Sequence, residues 1–116
     1  MNESQALLSF AALSQETRLA MVRLLVRAGP DGLAAGALAD GVGVSPSNLS
    51  FHLKELEHAG LIASRRESRS IIYTAEYAAL RGLVNFLMKD CCAGLPEICK
   101  PAPIASAKPK RRVPAS

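Results

Sequence analysis

Tryptophan is absent from this 116-residue chain, and histidine occurs only twice, as His52 and His58. No apolar run approaches the roughly 20 residues that a membrane-spanning helix needs, so no membrane partner is expected. The opening residues, Met1 to Gln5, lack the basic and apolar regions of a secretory signal. A cytoplasmic location is therefore expected, where thiols stay reduced. Cysteine occurs three times, as Cys91, Cys92 and Cys99. An odd number in one short cluster is a poor disulfide framework but a candidate ligand set. No cysteine motif sits on a strand–helix unit and no histidine is placed to act as its base, so an enzyme is not expected.

An excess of charge in the body of the chain is also missing. The net charge is +4, but Lys100, Lys108, Lys110, Arg111 and Arg112 all lie near the end, with no acid among them. Removing those five from fourteen basic residues leaves nine, against ten acidic. Any nucleic-acid reading must rest on where the remaining cations sit. Residues 1–99 read as one domain, and residues 100–116 as a disordered basic tail that touches DNA backbone non-specifically.

What is present is organised around Ser45 to Gly60. Ser45 has the hydroxyl of a helix N-cap and Pro46 suits the first helical position. Leu49, Leu53 and Leu56 recur on one buried face, and Gly60 supplies a left-handed stop. The other face carries Ser47, Ser50, Phe51, Lys54 and His58, with Asn48 at its edge. Short hydroxyls, an amide, an aromatic ring and one cation suit the floor of a DNA groove better than an ordinary solvated surface. Ahead of it, Ala34 to Asp40 reads as a short helix and Gly41 to Val44 as a tight turn, completing a helix-turn-helix pattern.

Ser4 to Leu13 reads as a first helix with Leu7, Leu8 and Ala11 on one face. Ser14 is the expected cap of a second, in which Leu19, Val22 and Val26 share a face beside Met21 and Leu25, up to Gly29-Pro30. Leu61 to Arg65 and Ser70 to Thr74 read as strands joined by the polar turn Arg66 to Arg69. With Arg65, Arg66 and Arg69 against one acid, Glu67, this hairpin reads as a wing whose cations approach phosphates or the minor groove. Tyr77 to about Cys92 reads as a last helix with Leu80, Leu83, Val84, Leu87, Met88 and Cys91 on one stripe. So full a stripe on a small domain calls for a second copy, and two copies match a palindromic operator. The fold class expected is mainly α with a small β-hairpin: a winged helix-turn-helix of about five helices.

Three stretches resemble the ArsR/SmtB repressors. Ala12 to Leu25 is similar to their alanine-leucine start and T-R-L helix, Ser45 to Ile62 to their recognition helix, and Arg65 to Tyr73 to their wing. The resemblance runs from about Leu7 to Leu87. It implies a homodimer closed by the first and last helices, and a repressor that leaves operator DNA when a metal or metalloid binds. The expected DNA contacts are Ser45, Ser47, Asn48, Ser50, Phe51, His52, Lys54, Arg66 and Arg69. His52 lies nearer the buried stripe than the others, so a structural role stays open.

Two departures bear on the inducer. Arsenic-sensing members carry a C-V-C pair on the helix before the recognition helix, but Leu33 to Val42 has no thiol. Zinc-sensing members use histidines and carboxylates on the last helix, which here has no histidine. The remaining candidate is Asp90 to Cys99, since some members sense arsenite through cysteines near the C-terminus. Trivalent arsenic and antimony are soft and take three thiolates, which fits Cys91, Cys92 and Cys99 and an arsenite or antimonite inducer. On a straight helix Cys99 would lie about 10–12 Å from the pair, so Gly94 and Pro96 must break it. Three alternatives stay open: a zinc site with a fourth ligand, a reversible disulfide forming a redox sensor, and a merely packed Cys91.

Overall fold

The computed structural model describes residues 1–89. The chain divides by its contacts into two units, Met1–Phe86 and Leu87–Ser116. The first holds everything that positions the site.

Five α-helices and three strands occur among the described residues: α1 (Glu3–Leu13), α2 (Glu16–Ala28), β1 (Leu33–Ala34), α3 (Ala35–Val42), α4 (Pro46–His58), β2 (Ile62–Glu67), β3 (Ser70–Ala75) and α5 (Tyr77–Met88). The strands form an antiparallel sheet in the order β1-β3-β2. This is the expected winged helix-turn-helix, with one strand more than the hairpin. β1 is two residues long, pairing Leu33 with Tyr73 and Ala34 with Ile72, too short to show the alternation that marks a strand in sequence. It is entered through Gly32, whose φ is +68°. A Cβ there would collide with the Tyr73 carbonyl and stand 2.7 Å from a Thr74 methyl carbon.

The helix starts follow local chemistry. Asn2, rather than a residue nearer Ser4, begins α1: its side chain accepts from the Gln5 amide at 2.8 Å, and the Gln5 side chain accepts from the Asn2 amide at 3.1 Å, a reciprocal capping box. Ser14 does not cap α2. Its hydroxyl donates backward to the Ala11 carbonyl at 2.9 Å, closing α1, while the Gln15 side chain accepts from the Arg18 amide at 2.8 Å and opens α2. In a break this short the serine satisfies the Ala11 carbonyl behind it and the longer side chain reaches forward. α3 runs two residues past Asp40 and stops at Gly43, in the left-handed region. Gly41 is inside the helix, and the Leu24 side chain packs where its Cβ would be.

Met21 and Leu25 of α2, Leu38 of α3, Leu49, Leu53 and Leu56 of α4, and Leu61 meet in one core. Burying each such side chain contributes about 1.5–3 kcal/mol. Two expected faces are turned. α2 buries Met21, Val22 and Leu25 and leaves Leu19 and Val26 exposed. α1 buries Ala6, Ser9 and Ala12, while Leu7 and Leu8 are 62% and 41% exposed. α1 packs on α2 and α4 through its small side chains, which let helix backbones close up, so its leucines point away.

Candidate nucleic-acid interface

α4 begins as its sequence dictates. Ser45 is extended, at φ −72° and ψ 157°, and its Oγ accepts from the Asn48 amide at 3.3 Å. Pro46 occupies the first position and Gly60, at φ +78°, follows the end. Leu49, Leu53 and Leu56 are buried. That anchors one side of the helix and leaves Ser47, Asn48, Ser50, Phe51 and Lys54 exposed. Phe51 is 58% exposed. Lys54 forms no ion pair among the described residues. Ser45 is engaged at the helix start by its capping bond and by a 3.5 Å approach to the Ser47 hydroxyl.

His52 stands apart from that exposed set. It is half-buried, and its Nδ1 lies 3.2 Å from a terminal nitrogen of Arg18 on α2. Burial, and then the Arg18 charge, lower its pKa from the usual 6.5, with Glu55 opposing them. Its ring also meets Phe51 edge-on, with centroids 5.4 Å apart. His58, placed by helical spacing on the outward face, is exposed and borders a cavity of about 460 Å³ that Ser9 of α1 and Gly82 of α5 also line.

The wing separates its three arginines. β2 and β3 pair as far as Glu67 with Ser70, so the turn is the two residues Ser68-Arg69, with Ser68 at φ +56°. Arg66 therefore belongs to β2, opposite Ile71, and not to the turn. Successive strand residues face opposite ways. Arg65 is thus drawn to the 3₁₀ turn Gly29–Asp31, donating to the Pro30 carbonyl at 3.2 Å and the Asp31 carbonyl at 3.0 Å, with Glu67 at 2.7 Å. It ties the wing to the end of α2. Arg66 and Arg69 are exposed and form no ion pair among the described residues.

A half-exposed helix with a wing beside it occurs in several families, so relatives decide. A helix-turn-helix domain model matches residues 13–65. The HTH-type transcriptional regulator YgaV of Escherichia coli is 32% identical over 76% of this chain and 87% of its own. The ArsR-like transcriptional regulator of a Rhodococcus species superposes with a TM-score of 0.67 at 28% identity, over 85% of this chain and 96% of that one. The chain belongs to the ArsR-type winged helix-turn-helix transcriptional regulators. Its ArsR-type relatives are DNA-binding regulators, not enzymes, and so is this chain. The uncharacterized regulator YceK of Bacillus subtilis is 38% identical over 62% of this chain, which spans 66% of YceK. Mb0332 of Mycobacterium bovis, a homodimeric winged helix-turn-helix domain, matches with a TM-score of 0.60 at 27% identity, over 76% of this chain and 82% of that one.

Among the described residues no three His, Cys, Asp or Glu side chains come together as a metal site, and no helix is long and apolar enough to cross a membrane. Cys91, Cys92, Cys99 and the basic tail lie outside the described residues. Sequence reading passed over Arg18. Its signal was a cation in the first turn of a helix, where the dipole disfavours it.

Proposed function

We propose that this ArsR-type regulator is a homodimeric repressor that leaves its operator when arsenite or antimonite binds Cys91, Cys92 and Cys99. The observation that carries the reading is the placement of sulfur. The segment that becomes α3 has no thiol and α5 has no histidine, while all three cysteines fall within nine residues. Three soft thiolates suit a trivalent metalloid and leave hard cations such as magnesium aside.

Dimerisation is supported by apolar surface on the two elements expected to pair. Leu7 and Leu8 on α1 and Val84 on α5 are exposed, Val84 at 58%, and Mb0332 is a homodimer of the same fold. In the DNA-competent dimer, Ser47, Asn48, Ser50, Phe51 and Lys54 of each copy face bases or nearby phosphates, and Arg66 and Arg69 hold the flanking backbone. Phe51 suits a thymine methyl. Release requires the metalloid to favour the other dimer arrangement, by a coupling of about 1–3 kcal/mol.

The test is a count of thiols. Titrating the full chain with arsenite and then labelling free cysteines should find three thiols per subunit protected at one equivalent. Three reactive thiols at saturation would overturn the sensing site. Oxidant without metalloid should leave the DNA complex intact; release by oxidant alone would favour a redox sensor on the same scaffold.

A further inference from the structure

One guanidinium, carried by α2, touches two other helices. Arg18 is in the first turn of α2, fixed there by its amide bond to Gln15. Its Nε donates to the Ala12 carbonyl at 2.7 Å, one of the carbonyls that the end of α1 leaves without a helical partner. A terminal nitrogen stands 3.2 Å from Nδ1 of His52, in the middle of α4. Both side chains are half-buried. Beyond His52 lies Phe51, the exposed aromatic of the same helix.

The chemistry of this junction is one-directional. A guanidinium has five donors and no acceptor, so Nδ1 of His52 must be the acceptor. The proton of the neutral ring is then on Nε2. This makes His52 a donor at its remaining nitrogen, suited to a phosphate oxygen or to N7 or O6 of a purine. A lysine in place of Arg18 has one nitrogen, and no planar fork to reach the carbonyl and the ring together.

We propose that Arg18 is a positioning residue for DNA reading, which sets α4 against the end of α1 and fixes the His52 tautomer that offers Nε2–H to DNA. This rests on the reading of α4 as the DNA-reading helix. It also gives α1, which carries the exposed Leu7 and Leu8, a direct polar connection to the reading face. The apolar core joining α2 to α4 does not use Arg18, so its removal changes the setting of α4 rather than the fold.

The experiment uses the full chain and a duplex recovered by selection from random-sequence DNA. Arg18→Met should melt cooperatively and bind that duplex about tenfold more weakly, the factor expected for a hydrogen bond involving a charged group. Imidazole ¹⁵N spectra should show His52 with a bare Nδ1 in the parent and a mixture of tautomers in Arg18→Met. Adding His52→Gln to Arg18→Met should cost little more, because the two residues act through one bond. If Arg18→Met does not melt cooperatively, Arg18→Lys takes its place, with the same loss of affinity and the same mixed tautomer expected. A protonated Nδ1 in the parent would overturn the proposal. So would full affinity in the Arg18 variant while Phe51→Ala and Lys54→Ala bind weakly. Full affinity in all three variants would remove the reading of α4 itself.

Discussion

The arginines and lysine around the interface have distinct roles, and salt separates them. Lys54 is exposed, forms no ion pair among the described residues and sits mid-helix, where alanine is an equal or better helix former. Lys54→Ala should therefore leave stability unchanged. If Lys54 meets a phosphate in each copy of the proposed dimer, two contacts are lost, each worth about 0.9 in the slope of log affinity against log salt, so the slope should become shallower by about 1.8. Arg66→Ala should do the same. Arg65→Ala is the internal control: its donors are engaged by Glu67 and by the Pro30 and Asp31 carbonyls. Its loss should cost about 1 kcal/mol of stability, given partial exposure, with the slope unchanged. Fluorescence anisotropy of a labelled operator duplex from 50 to 300 mM salt, about the range over which such slopes are measured, reads all three. An unchanged slope in Lys54→Ala beside a shallower one in Arg65→Ala would refute this assignment of cations.

Other outcomes follow from single positions. Gly32→Ala forces a left-handed φ on a side chain and drives its Cβ into the Tyr73 carbonyl; urea melts should show a loss of about 2–4 kcal/mol. Leu56→Ala removes a fully buried core residue and should cost about 2–5 kcal/mol, again by urea melts. Phe51→Ala should weaken specific binding several-fold, with no loss of stability in thermal melts, since its ring is mostly exposed. His52 has a lowered pKa, by burial and then by Arg18. Below its usual value of 6.5 the unfolded chain takes up a proton that the native chain refuses, so stability should fall as pH drops through the region just below that value. His52→Gln should flatten the dependence there; an equal slope in both proteins would refute the assignment.

Much of this interface was legible because its elements are marked by strong local chemistry. Ser45, Pro46, the leucine stripe and Gly60 each act within a few residues, and the structure places every one as its spacing implies. What was not legible came from contacts between distant residues. β1 exists only because β3 lies beside it, so two residues before α3 could not announce it. The leucines of α1 point outward because Ala6, Ser9 and Ala12 pack more closely, a choice that hydrophobicity alone misjudges. Arg65 and Arg66 look equivalent as neighbours, and strand alternation then sends them to opposite faces. The pairing of Arg18 was not legible for the same reason: its partner His52 lies 34 residues away.

The proposed reading helix is defined by its own residues, and its proposed control lies in thiols downstream, so release of DNA is the decisive observable. Arsenite should be titrated into the complex of the full chain with its operator duplex, for the parent and for Cys99→Ser. The account predicts complete release of the parent and retention of DNA by Cys99→Ser at the same arsenite concentration. Equal release of both proteins, or no release of either, would contradict it.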